Sequence, residues 1–229
     1  DRLIIALDVD TKEEALKLID TLSPEIDVFK VGIAPFTAFG QILLDKLDSL
    51  GKKVFLDLKF HDIPNTVKNA AYAAAQKNVF MMNFHCLGGE KMMKAAVEGA
   101  AKAGSEKKPL LLGVTMLTSM DEKEMKELGM TGTIFDKVTA LALLAKKAGL
   151  DGVVASAKEA GEIKKKAGKD FLVVTPGIRP AWASQDDQKR ILTPREAVSA
   201  GADYIVVGRP VIAAADPLEA AGKILKEIG

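Results

Sequence analysis

The chain has 229 residues, 48% of them hydrophobic, and its 32 Lys and Arg nearly cancel its 31 Asp and Glu to leave a formal charge of +1. That apolar content supports a substantial core and excludes wholesale disorder, while balanced charge and only 5% aromatics argue against a nucleic-acid binder. A single cysteine, Cys86, excludes an intramolecular disulfide and a Cys-based zinc site, two histidines leave little for a His-rich one, and no apolar run approaches a membrane span.

Taken in order, the chain alternates short apolar runs with helical patterns. Residues 3–9 form the first run, too short for a signal peptide. Thr11-Lys-Glu-Glu14 then reads as a capping box. Residues 28–33 are the second run, and Gly51 ends the next helix before the third run, 54–58. The fourth run is 79–84. Gly104 closes the helix before the fifth, 110–116. The stretch 119–133 is longer than a connection needs and contains a short helix over 121–128. Gly149 precedes the sixth run, 152–155, and Ser156-Ala-Lys-Glu159 reads as a second capping box. Gly168 precedes the seventh run, 171–175. A second long stretch, 177–192, follows it and includes Trp182, the only tryptophan; long loops at one end of a barrel are where lids occur. Thr193-Pro-Arg-Glu196 is a third box with Pro at the first helical position. Gly201 precedes the eighth run, 204–207, and Asp216-Pro-Leu-Glu219 repeats the capping logic.

Near-continuous apolar runs suit parallel strands covered on both faces. Eight strand–helix alternations with no linker or low-complexity segment predict an α/β chain, a (β/α)8 (TIM) barrel occupying 1–229 as one domain. An open doubly wound sheet is the alternative. A reducing, cytoplasmic compartment is the expectation.

Four charges interrupt the apolar runs. Asp57 and Lys59 are two apart in the third strand and so share a face, with Leu56 and Leu58 on the other. Asp8 follows Ile4 and Ala6, and Lys30 follows Val28. All four fall at C-terminal strand ends, where barrel active sites are built. An ion-pair plug in the barrel mouth is the plain alternative, but buried ion pairs seldom improve on apolar packing. A metal held by Asp57 and Asp62 is disfavoured by the neighbouring ammonium groups of Lys59 and Lys30. After the eighth strand, Gly208-Arg209 suits a phosphate, as do Gly177 and Arg179 after the seventh. The residues therefore point to an enzyme that acts on a small phosphorylated substrate with Lys and Asp and without a metal.

The stretch Asp57-Leu-Lys59-Phe-His-Asp62-Ile63-Pro64-Asn65-Thr66 closely resembles the signature of the orotidine 5′-phosphate decarboxylase family, in its compact bacterial and archaeal form. The resemblance extends over the whole chain, through Ala6-Leu-Asp8, Phe29-Lys30-Val-Gly32, Thr115-Met-Leu-Thr118-Ser119, Pro176-Gly-Ile-Arg179-Pro180 and Val207-Gly208-Arg209-Pro210. It implies conversion of orotidine 5′-monophosphate to uridine 5′-monophosphate and CO2, the last step of pyrimidine nucleotide synthesis, with no metal and no organic cofactor. Lys59 would protonate C6 as the carboxylate leaves, with Asp57 against that carboxylate. Lys30 and Asp62 would complete an alternating array, Asp62 coming from the other subunit of a homodimer with shared active sites. Asp8 and Lys30 would contact ribose hydroxyls. Ile63 and Thr66, also from across the interface, would line the ribose and phosphate end. Thr118 would meet the base, and Arg179, Gln188, Gly208 and Arg209 the phosphate region. His61 reads as a loop residue and His85 as a satisfied structural histidine.

Two rival functions share this pattern. A magnesium-dependent phosphosugar lyase or decarboxylase of the same superfamily carries an acidic ligand near the end of strand two, where this chain has Phe29-Lys30-Val31-Gly32. A non-catalytic nucleotide-binding barrel would not need Lys30, Asp57, Lys59 and Asp62 together.

Overall fold

All eight apolar runs form strands that share one cylinder: β1 (Leu3–Ala6), β2 (Val28–Gly32), β3 (Lys53–Phe60), β4 (Met81–His85), β5 (Leu110–Val114), β6 (Gly152–Val154), β7 (Leu172–Thr175) and β8 (Tyr204–Val207). The computed structural model describes residues 2–105, 108–183 and 192–229. The strands pair in parallel in chain order, and β8 returns to β1 through Leu3–Ile205, Ile4–Val206 and Ile5–Val207. Closure removes both sheet edges and rules out the open doubly wound alternative.

The helices cover the cylinder: α1 (Lys12–Leu22), α2 (Ile33–Ser49), α3 (Pro64–Ala75), α4 (Gly89–Lys102), α5 (Glu122–Glu127), α6 (Ile134–Lys147), α7 (Ala157–Ala167), α8 (Pro194–Ser199), α9 (Arg209–Ile212) and α10 (Pro217–Ile228). None is long and apolar enough to cross a membrane. The capping expectations divide. Thr193 and Glu196 form a reciprocal box, and Asp121 and Glu124 form another on the short helix expected at 121–128. Thr11 accepts only the Glu14 N–H, and Asp216 the Glu219 N–H. The box expected at Ser156 does not form, because its hydroxyl caps Lys158 instead and Glu159 is buried. The five helix-ending glycines all take positive φ, from +62° at Gly104 to +109° at Gly201.

Two apolar layers result from the two faces of each strand. Ile4, Ala6, Val28, Phe55, Met81, Leu112, Val174 and Val206 fill the barrel interior. Leu3, Ile5, Phe29, Val31, Leu56, Met82, Phe84, Val153, Val173 and Ile205 face outward and pack with the helices. The interior plug matters for function: it floors the barrel below the strand ends, so any ligand cavity must open at the C-terminal rim.

α3 and α4 approach unusually closely. A Cβ at Gly99 of α4 would lie 2.0 Å from the Lys68 carbonyl oxygen of α3. The clashing atom is backbone, so Gly99→Ala forces the helices apart and displaces the segment that begins at Asp62. Overpacking of this kind costs about 1–3 kcal/mol, against a helix-propensity gain of at most ~1 kcal/mol. We expect Gly99→Ala to melt roughly 2–10 °C below the parent in a calorimetric scan; an unchanged or higher Tm contradicts the close-packing account.

Candidate active site

The strand period that builds the apolar plug also builds the layer above it. Two residues beyond Val28 on β2 is Lys30, two beyond Phe55 on β3 is Asp57, and two beyond Met81 on β4 is Asn83. Lys30 and Asp57 are each only 8% exposed and Asn83 is fully buried. Charges this deep require partners, and they find them in a continuous chain. Lys59 Nζ lies 2.7 Å from Asp57 Oδ1. Asp57 Oδ2 lies 3.3 Å from Lys30 Nζ, which is 3.2 Å from Asp8 Oδ1. The Lys30–Asp8 contact needs a glycine opposite: a Cβ at Gly32 would fall 2.9 Å from Lys30 Nζ and 3.2 Å from Asp8 Oδ1.

The alternation expected for Asp57 and Lys59 is not that of a regular strand. From Leu56 to Phe60, β3 advances four residues while β4 advances two, Met82 to Phe84. Within this bulge Lys59 adopts φ +49°, a left-handed conformation that costs a side-chain-bearing residue of order 1 kcal/mol or more. Both side chains nevertheless reach the cavity, because the bulge re-aims Lys59 rather than turning it outward. Burial pushes the Asp57 carboxyl up, but the Lys30 and Lys59 ammoniums and the hydrogen bonds from Lys59 and Asn83 outweigh it, so the group is held below its ordinary 3.8.

The cavity at this rim has a volume of about 410 Å3 and is walled by nine of the residues singled out in the sequence: Asp8, Lys30, Asp57, Lys59, Thr118, Gly177, Arg179, Gly208 and Arg209. The Lys–Asp chain lies on the β1–β3 side. Gly177 and Arg179 follow β7, and Gly208 and Arg209 follow β8. Arg179 is 8% exposed, and its backbone N–H donates to the Leu192 carbonyl at 3.0 Å, so the two ends of the 179–192 segment are pinned together at the rim. Gln188 lies outside the described residues, as does half of the 177–192 stretch expected to act as a lid. Trp182 is 49% exposed, with Lys223 Nζ 6.0 Å from its ring centroid.

Asp62, Ile63 and Thr66 are not part of this wall. All three are exposed, Ile63 at 67%. Asp62 accepts the Ile63 N–H at 2.6 Å and forms no ion pair among the described residues. Ile63 rather than Asp62 holds the N-cap position of α3, with Pro64 in the first turn. No group of three His, Cys, Asp or Glu side chains among the described residues is arranged to hold a metal ion.

His85 departs from the satisfied role expected of it. Its Nδ1 is enclosed without a hydrogen-bond partner, and its ring stacks on His61 at 5.3 Å between centroids. Burial, then His61 and the Lys59 charge, keep its pKa below the ordinary value and the ring neutral. Asn83 is the residue that sequence reasoning passed over. Its signal was present: an amide at the third position of Met81-Met-Asn83-Phe-His85, on the inward face, in an otherwise apolar run.

Comparison with known proteins places these residues in context. The model of the "Orotidine 5'-phosphate decarboxylase / HUMPS family" matches residues 1–224. A protein of Saccharophagus degradans named orotidine 5′-phosphate decarboxylase is 52% identical over 227 residues, 99% of this chain and 94% of that one. A Nitrosococcus oceani protein of the same name is 51% identical over 99% of this chain and 97% of its own. Among solved structures, orotidine 5′-phosphate decarboxylase from Lactobacillus acidophilus superposes with a TM-score of 0.89 at 40% identity, covering 100% of both chains.

The Asp57 geometry has a measurable consequence. A carboxyl whose pKa is depressed by folding contributes stability above its unfolded value and loses it as pH falls through the folded one. Removing one member of a buried, paired set costs about 3 kcal/mol. Asp57→Asn should therefore be less stable than the parent by that order at pH 7 in denaturant titrations. The gap should persist down to the ordinary 3.8 and close only in stronger acid. A gap that is absent at pH 7, or independent of pH down to acid unfolding, contradicts this reading.

Proposed function

The chain belongs to the orotidine 5′-phosphate decarboxylase / HUMPS family and decarboxylates orotidine 5′-monophosphate to uridine 5′-monophosphate, and we propose that Lys59 supplies the proton. The observation that carries this reading is the Lys59 ammonium 2.7 Å from Asp57, in a cavity whose other wall bears Arg179 and Arg209. The substrate spans the cavity, with its pyrimidine at the Lys–Asp chain and its phosphate between Gly177, Arg179, Gly208 and Arg209. Asp8 and Lys30 meet the ribose hydroxyls and Thr118 the base. Gln188 joins the phosphate end.

The chemistry requires such an arrangement. When the C6–carboxylate bond breaks, CO2 departs and the electron pair stays at C6, in an orbital orthogonal to the ring π-system. Resonance does little for it. An ammonium held at C6 stabilises the developing charge and then transfers its proton to that pair. Asp57 keeps Lys59 charged and aimed, and Lys30 keeps Asp57 ionised. The phosphate is remote from the reacting bond, so its binding energy can close the 177–192 segment and be expressed in the transition state. No step calls for a metal or an organic cofactor.

The second half of the proposal is a homodimer with shared sites. Asp62, Ile63 and Thr66 are exposed on their own subunit, outside its cavity wall. An isoleucine 67% exposed beside the charged rim suits a surface covered by a partner. In a two-fold interface the same patch serves both subunits, so each Asp62 would complete the array of its partner. Burial raises the Cys86 thiol to about 12, leaving it inert, and we place the protein in the reducing cytoplasm.

Loss of absorbance of orotidine 5′-monophosphate on the purified protein, unchanged by EDTA, is the expected result. An EDTA-sensitive rate instead favours a magnesium-dependent phosphosugar enzyme. Lys59→Ala should abolish turnover, by at least the 10²–10⁴-fold typical of a lost proton donor, while still binding uridine 5′-monophosphate. Retention of more than a few percent of the parent kcat rules Lys59 out as the donor.

The shared site has its own test. Homodimers of Lys59→Ala and of Asp62→Ala should each be nearly inactive. Subunit exchange between them creates mixed dimers with one intact site and one doubly defective site. About half the parental activity per mixed dimer should return, as two-fold symmetry dictates. If exchange occurs and activity does not return, Asp62 acts within its own chain.

A further inference from the structure

Asn83 is fully buried on β4, between the bulge of β3 and the Asp57 carboxylate. Its side-chain oxygen accepts the Lys59 backbone N–H at 2.7 Å, and its side-chain nitrogen donates to Asp57 Oδ1, also at 2.7 Å. The two partners fix the orientation of the amide. The reverse orientation would set a carbonyl against a carboxylate and an NH2 against an N–H. The bulge explains why a side chain is used. Where β3 gains two residues over β4, the ladder lacks a main-chain acceptor in register with Lys59. The carboxamide has the same donor and acceptor groups as a peptide unit, and here it takes that place.

We infer that Asn83 is a positioning residue for the decarboxylation: its amide ties the left-handed Lys59 backbone to the Asp57 carboxylate and so aims the Lys59 ammonium. Lys59 at φ +49° is in a conformation that persists only where its surroundings enforce it. One of the two bonds holds the main chain of the proton donor. The other holds the carboxylate that orients its Nζ, and it adds to the forces that keep Asp57 ionised. Asn83 does not line the cavity, so it acts through Lys59 and Asp57 rather than on the substrate. The inference rests on Lys59 being the proton donor.

The test compares Lys59→Ala, Asn83→Ala and Asn83→Asp, with kcat, KM, affinity for uridine 5′-monophosphate and thermal melting measured for each. Asn83→Ala loses both bonds. Its kcat should fall about 100-fold, the cost of a misplacement near 1 Å, while KM and nucleotide affinity change little, since the ligand-facing groups remain. Asn83→Asp supplies a signature that a merely structural role would not. A protonated carboxyl mimics the amide, with its C=O accepting from Lys59 N–H and its O–H donating to Asp57. An ionised one only accepts, and it repels Asp57. Burial beside Asp57 raises the pKa of the new group, so the ratio of Asn83→Asp activity to parental activity should rise as the pH is lowered.

A parental kcat in Asn83→Ala overturns the inference. Where Asn83→Ala loses nucleotide binding or melts early, the Asp variant decides, and a ratio independent of pH overturns it. Turnover by Lys59→Ala removes the proton-donor premise itself. An inactive Lys59→Ala beside a fast Asn83→Ala removes only the role of Asn83.

Discussion

The ionised Asp57 carboxylate, held between two ammonium groups at the top of the barrel, is the constraint around which the rest of the site is arranged. Alone, a carboxylate this deep would be disfavoured in its charged form. Together, Asp8, Lys30, Asp57 and Lys59 alternate in sign, so each charge is the solvation of the next. Such a set contributes less to stability than apolar side chains of equal volume would. Its value is that the charges are fixed before the substrate arrives, and no reorganisation is needed as charge develops at C6.

The barrel supplies what the charges need. The interior plug of Ile4, Val28, Phe55, Met81, Leu112, Val174 and Val206 excludes water from below. It also leaves Lys30 and Asp57, two positions further along β2 and β3, at the floor of the cavity, with Asn83 on β4 buried beneath it. Lys30, Asp57 and Asn83 are thus placed by the same period that places the core. The position of Lys59 needs one departure from that period, the bulge in β3, and the strain of its left-handed backbone is borne by the surrounding ladder and by Asn83. Bulges near reacting groups re-aim a side chain without rebuilding the strand.

Distance divides the labour of the cavity. In the proposed binding mode, the charged chain on β1–β3 would face the bond that breaks, and the arginines after β7 and β8 would face the phosphate. The segment between Arg179 and Leu192 is tethered at both ends by the Arg179–Leu192 hydrogen bond, next to the phosphate end. The pinned ends of that segment thus lie beside the proposed phosphate contacts, as a mechanism that spends remote binding energy on catalysis requires. On the β3 side of the same rim, the close approach of α3 to α4 at Gly99 fixes the helix whose start carries Asp62, Ile63 and Thr66, the residues proposed for a partner's site.

Much of this was legible without coordinates. Eight apolar runs punctuated by helix caps dictate a parallel α/β architecture, because strands apolar on both faces must be covered on both faces, and the pairing of β8 with β1 then decided for a barrel over an open sheet. Asp8, Lys30, Asp57 and Lys59 announced themselves because charges at strand ends are costly unless used. The sequence could not disclose the bulge: two extra residues in β3 are defined only against β4, and pairing register is a property of two strands. For the same reason it did not disclose Asn83, whose amide has meaning only once the gap it fills exists. The Ser156 capping box failed, though Ser156 still caps the helix, because a glutamate that local propensity would leave at the surface was drawn into the interior. Nor could it show that His85 stacks on His61 with an unpaired nitrogen, since the end of β4 and the residue after β3 meet only in the folded barrel. Local pattern determined which residues carry charge and which strand each ends. Tertiary structure alone decided their distances, because the Lys30 contacts with Asp8 and Asp57 join segments far apart in the chain and the Lys59–Asp57 contact depends on a bulge defined against β4.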